Sequence, residues 1–227
     1  LWSGAVDPRR RLRYRRCAMN DDSVEDPREA KRAERVQRRR RQILDAAAHL
    51  MQRTGYHAMS IQQLAEEADV SVGLVYQYFG GKHDLLQAVI EDILQDFEQQ
   101  LPQRIRADEE PAAQLAGAVR SLCEIIAAKR EGTVLAYRES ATLSGPGLRR
   151  IKELELRTVQ PVRQIVIEGL ASGAFRPVDP ELVAHTVLMI AHGWALKHWN
   201  LGARMSLDDY VRQETELLLN GLAAPTK

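Results

Sequence analysis

The chain has 227 residues, with 32 Lys and Arg against 31 Asp and Glu, and therefore a formal charge of +1. Its 44 % hydrophobic and 28 % charged residues are typical of a globular protein and exclude a fully disordered chain, a collagen or a disulfide scaffold. No run approaches 18 apolar residues, so the sequence predicts no membrane partner. Cys17 and Cys123 are too few for a disulfide framework and favour the reducing cytoplasm.

The near-zero net charge conceals an uneven distribution. Residues 1–56 carry 15 Lys and Arg against 8 Asp and Glu, a net charge of +7, whereas residues 57–227 carry a net charge of −6. Residues 28–41 alone hold eight basic and two acidic side chains. A basic end on an acidic body predicts that this end meets a polyanion.

The amino-terminal segment differs from the remainder. Residues 1–18 contain six arginines and little apolar periodicity, and Met19 is the first methionine. We expect translation to begin at Met19, with residues 1–18 as upstream sequence; the alternative is a natural basic tail. Residues 1–30 together are predicted to form a disordered tail.

Helical periodicity begins at Lys31 and continues to Thr54. Ser60 is predicted to cap a short helix, with Gln63 completing a capping box. Ser71 is predicted to cap the next helix. That helix is expected to end at Phe79 and to bury Leu74, Val75 and Tyr78. A turn of about four residues separates these two short helices. This arrangement is typical of a helix-turn-helix, whose second helix enters the major groove of DNA.

The rest of the chain also has helical periodicity, and no stretch alternates as a strand does. The predicted helices are Lys82 to Leu101 (ended by Pro102), a helix from Pro111, Gly132 to Thr142, Leu148 to Leu170 (kinked or split by Pro161), 180–200 and 207–222, with a break at Ser144–Gly147. The predicted fold class is therefore all-α. Residues 31–86 would form a three-helix helix-turn-helix domain, and residues 87–227 a second helical domain.

The segment Arg41–Leu86 reads RQILDAAAHLMQRTGYHAMSIQQLAEEADVSVGLVYQYFGGKHDLL. It resembles the DNA-binding domain of TetR/AcrR-type transcriptional regulators. The resemblance implies an all-helical homodimer with an amino-terminal DNA-binding domain. It also implies that residues 87–227 form a larger carboxyl-terminal domain that binds a small molecule and dimerises. The usual action in this family is repression relieved by a ligand.

The resemblance assigns DNA-contacting roles residue by residue. Ser60 and Lys82 match phosphate-contacting positions, where the charge of the lysine and the helix N-terminus act together. The remaining positions belong to the recognition helix, Ser71, Val72, Gly73, Tyr76 and Gln77, or to the preceding basic arm, Arg38, Arg39, Arg40 and Arg41. The sequence departs from many relatives at Val72, which could touch a thymine methyl group, and at Tyr78, where His is common. Core packing is the alternative for both tyrosines, and we assign Tyr78 to the core and Tyr76 to DNA.

The carboxyl-terminal domain is similar, in a few short pieces such as Tyr137–Ser140 and Gly193–Trp199, to regulators that respond to acyl-CoA thioesters or other lipid-like effectors. The predicted effector-binding residues are Leu122, Ile126, Tyr137, Arg138 and Trp194. Arg138 could hold a carboxylate or phosphate, or instead pair with Glu139. For Trp194 the alternative is core or dimer packing. No cofactor is expected besides this effector, whose identity stays open.

Dimerisation is assigned to the last helices. The residues predicted for the interface are Val187, Leu188, Ala191 and Leu218; the alternative is that the same stripes close the core of the monomer. No metal site is expected, because His185 and His192 lie about 10.5 Å apart along a helix axis, too far for one ion.

The sequence thus predicts a ligand-responsive transcriptional regulator, in the first place a repressor released from a palindromic double-stranded DNA operator by a small hydrophobic effector. An acyl-CoA is one candidate for that effector. An alternative is a DNA-binding regulator controlled by a protein partner, without a small-molecule pocket. An enzyme is the remote alternative, and we expect none, since no nucleophile elbow, P-loop or dinucleotide fingerprint accompanies the polar residues.

Overall fold

A computed structural model of the protein describes residues 27–143 and 145–223, and these residues form helices without any strand. The predicted upstream segment 1–18, and the predicted tail as far as residue 26, lie outside the described residues. The helices are α1 Pro27–Thr54, α2 Ile61–Glu67, α3 Val72–Phe79, α4 Lys82–Arg104, α5 Pro111–Ala128, α6 Arg130–Glu139, α7 Gly145–Thr158, α8 Gln160–Ser172, α9 Pro180–Leu196, α10 His198–Leu201 and α11 Leu207–Leu222.

The chain divides inside α1 into two units, between Arg38 and Arg39, and the described part of the first unit is residues 27–38. The first unit contains the beginning of α1, which starts at Pro27 rather than at Lys31. A proline is well suited to this position, because its fixed φ is helical and the first N–H of a helix has no partner to lose.

Both helices of the helix-turn-helix, α2 and α3, begin directly after a capping serine. The Ser60 hydroxyl accepts the N–H of Gln63 at 3.1 Å, and the Gln63 side chain accepts the N–H of Ser60 at 2.9 Å. The Ser71 hydroxyl accepts the N–H of Leu74 at the start of α3. The prediction of these caps is confirmed.

The burial predicted along α3 is only partly right. Val75 and Phe79 are buried, but Leu74 and Tyr78 are only half-buried. An eight-residue helix that packs through a single stripe buries residues four apart, and its neighbouring positions stay at the edge of that stripe.

Several predicted boundaries in the other helices are wrong. α4 continues through Pro102 to Arg104, so this proline lies inside the last turn of the helix and not after its end. The predicted break before Leu148 extends at most to Ser144, since α7 starts at Gly145. Pro161 splits the next predicted helix, as one alternative had it, and lies in the first turn of α8. The helix predicted to continue to Asn200 ends at Leu196 and is followed by α10.

In the second unit, α9 packs on α5, α8 and α6, and α4 packs along α7 and α5. Val187, Leu188 and Ala191 of α9 are buried inside this single chain, and Leu218 of α11 is half-buried against the same core. The sequence predicts all four residues at the dimer interface. The three on α9 pack in the core of the single chain, as the alternative had it, because α9 is apolar nearly all round and its inner face closes that core; the dimer interface itself stays a prediction.

Among the described residues, no helix combines the length and apolar character needed to cross a membrane.

Candidate nucleic-acid interface and internal cavity

The outer face of α3 is open. Tyr76 is 50 % exposed, and Gly73 and Gln77 are also exposed. A Cβ atom built on Gly73 would meet nothing within 4 Å, so another molecule can approach the helix backbone closely there. Val72 is half-buried against the core and offers only part of its side chain. The predicted recognition helix thus presents Gly73, Tyr76 and Gln77 outward, while Val75 and Phe79 hold it to the core.

The hydroxyls of Ser60 and Ser71 serve as helix caps, and both serines are accessible at the surface. Each hydroxyl accepts a backbone N–H and can still donate its own O–H, for example to a phosphate oxygen. Capping and phosphate contact are therefore compatible roles for the same atom.

Lys82 begins α4 and has a fixed position. Its Nζ atom donates to the backbone oxygen of His57 at 2.9 Å and lies 4.8 Å from the centre of the Tyr56 ring. An ammonium group has three N–H donors, so two remain after this bond. Both the ammonium charge and the N-terminus of α4 attract anions.

The four arginines of the basic arm differ in their surroundings. Arg38 belongs to the first unit, and Arg39 is exposed and donates to Gln42. The guanidinium of Arg40 lies 5.5 Å from the ring centre of Phe79. Arg41 instead forms ion pairs with Asp45 at 3.3 Å, Asp92 at 2.9 Å and Asp96 at 3.3 Å. Arg41 is thereby held against α4.

An internal cavity of about 140 Å³ lies among α4, α6, α7 and α9. Its wall is mostly apolar, with polar groups contributed mainly by α6, α7 and α9. The lining residues are Ile90, Ile93, Leu94, Phe97, Thr133, Ala136, Tyr137, Ser140, Ile151, Glu155 and His192.

A partly buried hydrogen bond joins two of these polar residues. Tyr137 Oη and His192 Nδ1 are 2.9 Å apart, and the two rings meet edge to face. Burial, followed by the nearby His185, lowers the pKa of His192 to about 4. Burial also raises the pKa of Tyr137, as does the charge of Glu155. Both side chains are therefore neutral at pH 7, and the described residues of the cavity wall include one carboxylate and no cation.

Of the predicted effector-binding residues, only Tyr137 lines this cavity. Leu122 and Ile126 are fully buried in the core. Arg138 faces a separate groove of about 730 Å³ on the other side of α6, and Trp194 lines another groove of about 670 Å³ that includes Arg41. The cavity residues that the sequence reasoning missed include Thr133, Glu155 and His192. The spacing of Thr133, Tyr137 and Ser140, four and three residues apart, places them on one face of a helix and could have indicated a shared site.

Within residues 27–143 and 145–223, no three His, Cys, Asp or Glu side chains are grouped as metal ligands would be.

Two family models match the chain. Residues 43–89 match the model for bacterial regulatory proteins of the tetR family, and residues 108–222 match the tetracyclin repressor-like C-terminal domain. The chain belongs to the TetR family.

This TetR-family regulator is 39 % identical over 184 residues to the HTH-type transcriptional regulator HbdR of Aromatoleum sp. (strain CIB), a match that covers 81 % of this chain and 80 % of that protein. Its fold is similar to that of the transcriptional regulator FadR from Bacillus subtilis in complex with stearoyl-CoA, with a TM-score of 0.67, 22 % identity and coverage of 80 % and 98 % of the two chains. It is also similar to AibR in complex with isovaleryl coenzyme A and operator DNA, with a TM-score of 0.66, 23 % identity and coverage of 83 % and 100 %. At these identities the two structures show the shared fold alone.

The low pKa of His192 predicts a specific loss of stability in acid. Above pH 6.5 the imidazole is neutral in both the folded and the unfolded regulator. Between pH 6.5 and about 4 only the unfolded chain gains this proton, so the free energy of unfolding falls as the pH falls through this range. His192→Gln should reduce this loss, by an amount on the order of 1–3 kcal/mol at pH 4.

Urea unfolding at a series of pH values measures this effect. The exposed His83 is the control, because His83→Gln should leave the pH dependence close to that of the wild type. If the free energy of unfolding depended on pH in the same way for the wild type and His192→Gln, His192 would be protonated alike in the folded and unfolded states, and the prediction would be wrong.

Proposed function

We propose that this TetR-family protein binds a palindromic operator as a homodimer and is released from it by an effector whose small, neutral, apolar group binds in the internal cavity. The observation that carries this proposal is the position of the cavity beside α4. α4 begins at Lys82, next to the recognition helix, and its residues Ile90, Ile93, Leu94 and Phe97 form one wall of the cavity. A ligand that favours one position of α4 would shift the populations of operator-binding and released states.

The chemistry of the cavity favours the acyl part of an acyl-CoA. A volume of 140 Å³ is close to that of engineered protein cavities of about 150 Å³ that bind benzene, so a group of a few carbons fits. Glu155 would repel a free carboxylate inside the cavity, whereas the neutral carbonyl of a thioester could accept a hydrogen bond from Tyr137 when the Nδ1–H of His192 is the donor in their pair. The acyl-CoA ligands of the AibR and FadR structures support this class.

The two rival functions account for less of the structure. Control by a protein partner alone gives no role to an apolar cavity with a neutral Tyr137–His192 pair. An enzyme would need a reactive centre, while the similar protein HbdR is a transcriptional regulator. We therefore favour an effector-controlled regulator that catalyses no reaction.

Filling the cavity should abolish the response to the effector. Ala136→Phe places a ring in the cavity, so the variant should bind operator as the wild type does but no longer respond to isovaleryl-CoA. In the wild type we expect this ligand to weaken operator binding about 5- to 150-fold, the usual range of allosteric coupling. Fluorescence anisotropy with a duplex selected from random DNA by the wild-type protein provides the measurement.

Val134→Phe is the matched control, because Val134 lies on the same helix but faces the groove of about 730 Å³ on its other side. It should keep the response, and free CoA should release neither protein. A full response of Ala136→Phe to isovaleryl-CoA would contradict an effector site in this cavity.

The basic arm should contribute to DNA binding through Arg38, Arg39 and Arg40. Replacing these three by Ala should flatten the plot of log K against log salt concentration by about 0.9 for each phosphate that the arm no longer neutralises. Arg41→Ala should leave that slope close to the wild-type value, because Arg41 is already paired with Asp92 and Asp96. Operator affinities measured from low to high salt distinguish the two variants; an unchanged slope in the triple variant would exclude the arm from binding the phosphates.

Dimerisation should use the exposed apolar side chains of α9 and α11 rather than the buried ones. Leu182 of α9 is 61 % exposed and Leu217 of α11 is 70 % exposed, although both are large and apolar. The double variant Leu182→Glu, Leu217→Glu should therefore have half the wild-type mass in light scattering at micromolar concentration. Leu156→Glu on α7, also an exposed leucine, should remain a dimer. A monomeric wild type would contradict the proposed homodimer.

A further inference from the structure

A buried carboxylate at the end of α6 reaches the loop between α1 and α2. Glu139 is the last residue of α6 and is only 5 % exposed. One of its carboxylate oxygens lies 3.7 Å from Nε2 of His57, whose side chain is 79 % exposed. Arg53 and Glu139 both line the groove of about 730 Å³. Arg53 forms a two-point ion pair with Glu67, however, so it does not compete for Glu139.

The same loop holds the ammonium of Lys82. The backbone oxygen that accepts from Lys82 Nζ belongs to His57, the residue that Glu139 contacts through its imidazole. The Tyr56 ring beneath Lys82 packs edge to face against the His57 ring. Burial and the charge of Glu139 both raise the pKa of Tyr56, which is consistent with the short path between them.

α6 presents its two faces to two different sites. Thr133, Ala136 and Tyr137 line the internal cavity. Glu139 lies on the opposite side of α6, in the groove of about 730 Å³. Because a helix moves as a rigid unit over ten residues, a ligand that displaces the cavity face also displaces Glu139.

We propose that Glu139 is a positioning residue which, through His57 and the α1–α2 loop, holds Lys82 in place for a DNA phosphate and connects that phosphate site to the cavity. This inference rests on the proposed function, in which Lys82 contacts the operator. The connection through α4 is then accompanied by a second one, in which α6 connects the cavity to the DNA interface.

A double-mutant cycle on operator affinity tests the connection without any effector. Lys82→Met should weaken operator binding of the wild type about tenfold. In a Glu139→Gln background the same substitution should cost less than about threefold, because Lys82 is then no longer held in place. Glu139→Gln combined with Arg39→Ala is the control cycle and should be additive, since Arg39 donates to Gln42 within α1 instead.

His57→Ala removes the same interaction from its exposed end and should reduce the cost of Lys82→Met in the same way, even if Glu139→Gln perturbs folding. Equal costs of Lys82→Met in the wild-type, Glu139→Gln and His57→Ala backgrounds would overturn the inference while leaving the proposed function intact. Failure of the wild type to bind any selected duplex would overturn the proposed function, and the inference with it.

Isovaleryl-CoA provides a second readout. Effector-induced loss of operator affinity should be several-fold smaller in Glu139→Gln than in the wild type, while binding of isovaleryl-CoA to the DNA-free protein stays the same. An undiminished loss of affinity would contradict the connection between cavity and Lys82.

Discussion

The ion pairs of Arg41 with Asp92 and Asp96 attach α1 to α4, the helix that also forms the cavity wall. A single pair between half-exposed side chains contributes about 0–1 kcal/mol. Here two carboxylates from successive turns of α4 share one guanidinium, and Lys129, between α5 and α6, also pairs with Asp96. α1 and α4 also contribute buried apolar residues, among them Leu44 and Val89, to the same core, and this small charge network adds to that packing.

Two cations of this network lie close together. Burial, followed by the nearby positive charge of Arg41, lowers the pKa of Lys129. Arg41 and Lys129 both pair with Asp96. In the proposed function, effector binding would bias these pairings as it shifts α4. Together with the proposed role of Glu139, this would give the cavity two routes to the DNA interface, one through α4 and Arg41 and one through α6.

The parts of this architecture that sequence reasoning predicts correctly are those determined by local chemistry. The Ser60–Gln63 capping box, the Ser71 cap and the split at Pro161 depend on residues a few positions apart, so spacing alone reveals them. The choice between an inner and an outer apolar face is different. Val187 and Leu182 lie on the same helix and are equally apolar, yet one is buried and the other is exposed. Only the packing of α9 against α5 and α8 makes that distinction, so apolar spacing alone does not tell which face of α9 the core of the single chain covers.

The charge asymmetry of the sequence also has a more specific meaning in the fold. Composition presents the basic segment 28–41 as one polyanion-binding arm, but its last arginine is neutralised by carboxylates of the same chain. The acidic body therefore does more than balance the arm, because Asp92 and Asp96 hold α1 to α4. Counterion release on DNA binding requires a cation that is free to exchange its partner for a phosphate. Arg38, Arg39 and Arg40 are therefore the arginines of the arm that we propose to contact DNA, whereas Arg41 is held by carboxylates of α4.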